Sequence, residues 1–327
     1  MTRIELSCGL PPSPQFADLV VHAEELGYRR VWIFDSAPLW EDPFVHLALA
    51  AQRTTRIELS TAVLVPTQRS PMATASSIAT IVRLSQGRFR ACFGTGSTAR
   101  LAIGKRPMPL HALRHYVETV RGLLAGETAT YDGTAIRMLH SAGLAQRRPI
   151  DVPIWLSVFG PKGVAMAGDI ADGIIGLPHP TLPTATMVSG TVLDPGESAD
   201  SARVQEAIAP WRVVAWHETY ASRGADAVDA MPGGRDWRTA LEALAPPEQR
   251  HLLAFEGHVT DLCERDRSLL DHINTKMMVG DEAKTASRLH KLAGMGFQEV
   301  VYTPTGPDVT RELSTMMAAH HSAAMTA

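Results

Sequence analysis

Apolar positions in the first half of the chain follow two alternating rhythms. Short runs dense in β-branched and aliphatic residues, Arg3–Leu10, Arg30–Asp35, Arg56–Val65 and Gly87–Gly94, read as strands. Between them, apolar residues recur at helical spacing: Phe16, Leu19, Val20, Ala23 and Leu26 line one face of Pro14–Gly27, which stops at a glycine suited to a C-cap. Asp42–Arg53, with Pro43 in its first turn, Pro71–Ser85 and Leu110–Leu124 repeat the helical pattern. Val152–Val158 and Gly173–Leu177 read as strands around a helix over Pro161–Ala171. The rhythm then breaks over His179–Ala209, a stretch rich in Pro, Gly, Ser and Thr that reads as an excursion spanning about 178–210. A strand is expected over Trp211–Trp216, mostly helix over Asp236–Ile273, then a helix opened by Gly280-Asp281-Glu282 and a strand at Glu299–Thr303. Residues 318–327 read as a frayed tail.

These assignments give eight strands, beginning near residues 3, 30, 56, 87, 152, 173, 211 and 299. Repeated βα units without a composition break predict one α/β domain over 1–327, a closed (β/α)8 TIM barrel with an excursion after its sixth strand. A doubly wound open sheet is the alternative. With 45% hydrophobic and 20% charged residues, the 327-residue chain has ample material for a core. A net charge of −3 supplies no basic footprint for nucleic acid. No apolar run reaches the roughly 20 residues needed to cross a bilayer. Three widely spaced cysteines, Cys8, Cys92 and Cys263, without C-x-x-C pairing, fit a reducing cytoplasm and no structural zinc.

In a barrel, chemistry belongs at the C-terminal strand ends. The second strand ends in Phe34-Asp35-Ser36, followed by Trp40; Asp35 reads as a ligand contact or a turn cap, Trp40 as pocket wall or loop packing. Gly94-Thr95-Gly96-Ser97-Thr98-Ala99 matches the loose dinucleotide pattern but follows the fourth strand, where a Rossmann motif should follow the first. It reads instead as a flat surface for a planar ring or as a plain βα turn. Gly160-Pro161-Lys162-Gly163 opens a helix, either an anion-binding corner or a tight turn. His46 sits on an apolar-patterned helix, as a core or pocket-rim residue. None of the thirteen histidines has metal-ligand spacing, and neither a G-x-S-x-G elbow nor a Walker loop occurs.

From Leu19 to Gly176 the order of segments resembles the bacterial-luciferase-like superfamily of flavin and deazaflavin oxidoreductases. The resemblance rests on Ala23-Glu24-Glu25-Leu26-Gly27-Tyr28, Val31-Trp32-Ile33-Phe34-Asp35, Asp42-Pro43-Phe44, Leu84-Ser85-Gln86-Gly87-Arg88-Phe89, Phe93-Gly94-Thr95-Gly96 and Ala167-Gly168-Asp169-Ile170-Ala171-Asp172-Gly173. It resumes at Val279-Gly280 and the last helix–strand pair. Gly160-Pro161-Lys162 ahead of the Ala167 segment is most similar to the branch of methylenetetrahydromethanopterin reductase and other oxidoreductases dependent on coenzyme F420.

The resemblance implies a non-proline cis peptide at Ala62-Val63 behind the cofactor's central ring. It also implies Asp35 against the ring system, Thr95 and Gly96 nearby, and Ser157 with Gly160, Pro161, Lys162 and Gly163 at the phosphate. Ser36 stands where several deazaflavin-dependent relatives carry a histidine assigned to proton transfer, so Ser36, Trp40 and His46 are the substrate-side candidates. The expected activity is hydride transfer between F420 and a small organic substrate. Alternatives are an FMN-dependent monooxygenase using oxygen and a non-catalytic flavin-binding protein. Members of the superfamily are often homodimers through helices beside the second and third strands.

Overall fold

A computed structural model describes residues 4–270 and 277–325. Its strands are β1 (Glu5–Leu10), β2 (Arg30–Ile33), β3 (Glu58–Thr61), β4 (Phe89–Phe93), β5 (Ala129–Tyr131), β6 (Thr134–Ile136), β7 (Ile154–Val158), β8 (Gly173–Gly176), β9 (Thr184–Val192), β10 (Met278–Gly280) and β11 (Glu299–Pro304). The helices are α1 (Phe16–Leu26), α2 (Pro43–Arg53), α3 (Pro71–Leu84), α4 (Ser97–Leu101), α5 (Leu110–Ala125), α6 (Pro161–Ile170), α7 (Ala202–Arg212), α8 (Val214–Arg223), α9 (Ala225–Asp229), α10 (Gly234–Leu244), α11 (Arg250–Ala254), α12 (Glu264–Arg267), α13 (Glu282–Gly294) and α14 (Val309–Met325).

Parallel pairing runs β1-β2-β3-β4-β7-β8-β9-β11 and back to β1, an eight-stranded closed ring. Closure decides against the open sheet, because no strand of this ring is left with an unpaired edge. β5 and β6 form a separate antiparallel hairpin, and β10 pairs with the far end of β9. A Cβ on Gly190 would lie 2.0 Å from the Met278 carbonyl oxygen, so only glycine lets β10 join there.

The barrel interior is layered. At the N-terminal strand ends the buried Arg30 pairs with Glu299 and Glu58, and the Trp32 indole donates to Glu299 at 2.8 Å. Above this ionic layer Trp32, Cys92, Trp155, Ile175, Ala185 and Val301 form an apolar plug. A Cβ on Gly173 would stand 2.2 Å from the Trp155 ring, so a large ring fits over an absent side chain. The larger core lies between strands and helices, as a covered parallel sheet requires.

Three expectations need correction. Trp211–Trp216 is not a strand: it ends α7 and begins α8, and its apolar residues belong to a helical series of Val204, Ala207, Val213 and Trp216, all buried. The seventh barrel strand is β9, inside the supposed excursion over 178–210, where flanking Pro and Gly masked a run of Thr and Val. The long excursion therefore follows the seventh strand, as α7 to α12, and β8 reaches β9 through residues 177–183 without a helix. Parallel neighbours normally need a crossover of a dozen residues or more. Finally, residues 318–325 are not frayed: they continue α14, with Ala319, His320 and Ala323 buried and His320 Nε2 2.8 Å from the Ile4 carbonyl. The helical expectation over Asp236–Ile273 ends outside the described residues.

The excursion has its own core of Trp216, Trp237, Leu241, Phe255 and Leu262, to which Leu101 and Ala102 next to α4 contribute. Inside it, His217 links His258 at 3.1 Å and Asp266 at 3.1 Å, while Trp237 and Arg265 donate to the other oxygen of Asp266. Gly306 docks this body to the barrel: its φ of 104° is a left-handed conformation, and a Cβ there would lie 2.8 Å from Ala207 in α7.

Candidate active site

Two regions meet at the C-terminal mouth. The first is built on the ends of β3, β4 and β7. The Ala62–Val63 peptide is cis, and the chain beyond it bridges back to β4 through Leu64 and Phe93. Gly94 and Gly96 face this segment. A Cβ on Gly94 would lie 2.7 Å from Val63 Cγ2, and one on Gly96 would lie 2.5 Å from Val65 Cγ1, with φ of 79° at Gly96. What fills the room left by the two glycines is thus the valine pair of the bulge. Thr95, between them, holds the following loop by accepting a hydrogen bond from the Met108 amide at 2.9 Å.

Beside it, α6 begins at Gly160 with no side-chain cap. Its first helical bond runs from the Val164 amide to the Gly160 carbonyl at 3.0 Å, so the Lys162 and Gly163 amides lack a helical acceptor. Nothing lies within 4 Å of a Cβ built on Gly160, whereas one on Gly163 would sit 2.9 Å from Val158 Cβ. Gly163 is therefore a packing glycine, and Gly160 borders open space. Lys162 is exposed, and Ser157 is half-buried on β7, two residues before the exposed Phe159.

Asp35 is almost wholly buried. Arg69 donates to its Oδ2 at 2.7 Å and the Val65 amide at 3.2 Å, while Oδ1 has no partner. The second arm of Arg69 reaches Asp42, the α2 N-cap, at 2.7 Å. Burial pushes the Asp35 carboxyl above its usual pKa, with Arg69 opposing; Asp42, also desolvated, is nonetheless held below it by the same guanidinium. Asp35 is thus first a lock on the loop after β3, and only Oδ1 is left for a ligand. Arg69 lies in a loop with no motif, so the sequence offered no signal for this pair.

The second region is a cavity of about 540 Å³ between β1, β11 and the excursion. Leu10, Phe34, Trp40, Leu262 and Val309 supply apolar wall, and Thr303 and Thr305 supply hydroxyls. The Trp40 and Phe34 rings pack at a tilt of 43° with centroids 5.5 Å apart. The point where Gly9 would carry a Cβ is 3.0 Å from Thr303 Oγ1 and 3.1 Å from Phe34 Cζ, so Gly9 leaves space where ring and hydroxyl meet. Trp40 joins this cavity; Ser36 and His46 do not line it. The Ser36 carbonyl accepts the Leu39 and Trp40 amides, which fixes the turn that presents Trp40. His46 turns to Glu41 at 2.7 Å and packs edge-on against Phe16 of α1.

With this geometry the chain matches the family model described as luciferase-like monooxygenase over residues 5–299. The chain belongs to that family. Among curated relatives it is 36% identical over 166 residues to the 5,10-methylenetetrahydromethanopterin reductase of Methanolobus tindarius, which covers 48% of each chain. It therefore spans about half the length of that luciferase-like relative. It is 28% identical over 320 residues to an F420-dependent glucose-6-phosphate dehydrogenase of Nakamurella multipartita, 92% of this chain and 89% of the relative. A solved F420-dependent secondary alcohol dehydrogenase, in complex with an F420-acetone adduct, superposes with a TM-score of 0.67 over 98% of this chain and 99% of the other, at 16% identity. The solved structure and this chain share the TIM-barrel fold.

Proposed function

We propose that this protein is an F420-dependent oxidoreductase that transfers a hydride between the deazaflavin and a small organic molecule. The observation that carries the proposal is the uncapped start of α6 at the barrel mouth. There two free amides, the positive end of the helix and Lys162 face open room at Gly160. The full-length similarity to an F420-dependent dehydrogenase supports the choice of coenzyme. The residues fit such a group: Gly160, Pro161, Lys162, Gly163 and Ser157 would take its phosphate, and Ala62, Val63, Thr95 and Gly96 would back its ring. Asp35 Oδ1, buried and unpartnered, is the polar contact available beside them.

When bound, the deazaflavin supplies a two-electron hydride carrier at a carbon centre; the protein positions two reactants and excludes water. The Val63–Gly94 and Val65–Gly96 contacts keep the backing wall stiff. The Arg69–Asp35–Asp42 bridge ties the loop after β3 to the end of β2 and the start of α2. Trp40 and Phe34 wall the substrate side.

A second reading has one observation in its favour: the family is described by monooxygenation, which suits reduced FMN and oxygen. Titrating the cofactor-free protein with F420 and FMN, each oxidised and reduced, separates the two. Tight F420 binding with FMN much weaker is the expected result. A preference for reduced FMN, with oxygen consumption on turnover, would overturn the deazaflavin reading.

A further inference from the structure

One wall of the cavity between β1, β11 and the excursion is a turn held in a conformation that its own sequence resists. Val259, Thr260, Asp261 and Leu262 line the cavity. Val259 has a φ of 59°, in the left-handed region that a β-branched side chain disfavours. The Thr260 and Asp261 amides donate to the Gly257 carbonyl at 3.1 and 2.9 Å, and both bonds span Val259, so they depend on that φ. Gly257 is left-handed as well, with a φ of 68°, and a Cβ there would lie 2.8 Å from the Asp261 carbonyl oxygen. Backbone strain of this kind persists only where the surroundings enforce it.

Beside the apolar seat of Leu262, the polar tie that enforces it is the His258 ring. The main-chain hydrogen bonds of residues 257–262 stay within residues 255–262, whereas His258 Nδ1 reaches His217 Nδ1 of α8 at 3.1 Å. His258 is 2% exposed and His217 0%. Two ring nitrogens at that separation share one hydrogen, so one donates and the other accepts. Asp266 of α12 faces the second nitrogen of His217 at 3.1 Å, and its other oxygen takes Arg265 and Trp237. A cation in this pair therefore belongs on His217. The Trp237 ring of α10 and the Phe255 ring just past α11 pack against the pair without charge. A further proton on His258 would set N–H against N–H in a buried site. His258 thus stays neutral while the turn is closed; burial, reinforced by His217, lowers it from 6.5 to about 3.

We propose that residues 257–262 form an acid-released gate on this cavity: protonation of His258 parts it from His217, Val259 leaves the left-handed region, and the wall withdraws. The gate rests on the oxidoreductase reading above, which makes the cavity the substrate side, and adds a regulation to it. Its sign follows from proton linkage. The open turn takes up a proton at the ordinary histidine value and the closed turn does not, so opening gains as pH falls through about 6.5. Between about pH 7.5 and about pH 5.5 the open population should rise about tenfold. A ligand lying against Val259–Leu262 opposes the same step, so acid and occupancy bias the gate in opposite directions.

Amide hydrogen exchange of the full-length protein, followed by NMR and corrected for the intrinsic pH dependence of exchange, reads the opening without coenzyme or substrate. In wild type, protection of the Thr260 and Asp261 amides should fall about tenfold from about pH 7.5 to about pH 5.5, while α8, α10 and the barrel strands keep theirs. His258→Asn removes the titrating ring, and protection of the same two amides should no longer depend on pH. Val259→Asn keeps the histidine pair and introduces a residue that accepts the left-handed region. It should raise protection at both pH values and preserve their ratio. Saturating prodan, a neutral apolar fluorophore, should raise protection of the turn in wild type. Protection independent of pH in wild type, an equal fall in His258→Asn, a parallel fall across α8 and α10, no gain in Val259→Asn, or protection indifferent to prodan would each overturn the proposal. Failure of wild type to bind F420 with this exchange pattern intact would instead overturn the cofactor reading and leave the gate standing.

Discussion

Arg69 divides one guanidinium between two carboxylates of unequal burial, and that asymmetry sets what its removal should do. Asp35 has a side chain only 1% exposed and Asp42 one 47% exposed, so the first contact is the consequential one. Arg69→Met should leave a desolvated carboxylate unpaired and destabilise the fold by on the order of 3 kcal/mol, in the range found when one partner of a buried pair is removed. Asp35→Asn in the same background should recover much of the loss, since it removes the stranded charge. Urea denaturation of the two variants checks this; equal stability of Arg69→Met and wild type would show that the pair holds nothing. The two glycines at the start of α6 offer a second contrast at this scale. Gly163→Ala would overpack Val158 and should cost about 1–3 kcal/mol, whereas Gly160→Val meets open space and should leave Tm unchanged.

At the scale of elements, the excursion meets the barrel at Gly306, through Leu101 and Ala102, and through Arg203 of α7, which bonds Thr191 and Glu312, while a buried polar network holds its interior. Gly306→Ala combines a left-handed backbone with a clash against Ala207, so α7 should lift from β11 and the cavity should become more accessible. Faster protease cleavage within α7 to α12, with the barrel intact, is the expected outcome; an unchanged cleavage pattern would contradict it. The network makes the same body acid-sensitive. Burial, reinforced by His217, lowers His258 from 6.5 to about 3, and Asp266, despite its own burial, is held well below the usual carboxylate range by His217 and Arg265. The folded form therefore binds fewer protons than the unfolded form below about pH 6.5, and stability falls as pH drops through that window toward about 3. His258→Asn should flatten the decline in Tm between about pH 7 and about pH 5; a decline as steep as wild type would contradict it.

This is also the scale at which sequence and structure diverged. β1 to β4, β7 and β8 were legible because each covered parallel strand is a dense apolar run bounded by a turn residue or helix cap. β9 was not: Thr184–Val192 carries Thr, Ser and Gly inside a Pro-rich neighbourhood, and the helix that normally spaces two parallel strands is missing before it. Trp211–Trp216 misled in the opposite direction, because a six-residue run of Val, Ala and Trp around Arg212 looks alike in strand and helix until the buried series from Val204 is read as one period. The site shows the same split. Among the candidate residues, Gly160, Gly163, Asp35 and Trp40 carry local sequence signals. Arg69, Thr303, Thr305 and the excursion's wall carry none, and only barrel closure brings β11 beside β1.

Over the whole molecule, the barrel separates stability from chemistry along its axis. Ion pairs and tryptophans fill the N-terminal end, while Gly94, Gly96 and the unpartnered Asp35 Oδ1 lie at the C-terminal mouth, the end where barrel enzymes work. One luciferase-like frame thus presents a glycine–valine wall and the uncapped start of α6 on one side and a cavity under a helical excursion on the other. The central claim is that the α6 corner holds a deazaflavin phosphate. Its most direct test is the dissociation constant of F420 for wild type and for Gly160→Val, measured side by side with their Tm values. The account predicts tight binding by wild type, binding at least about tenfold weaker by Gly160→Val because the new side chain enters the phosphate's room, and equal Tm. Equal F420 affinity in the two proteins, or none in wild type, would contradict it.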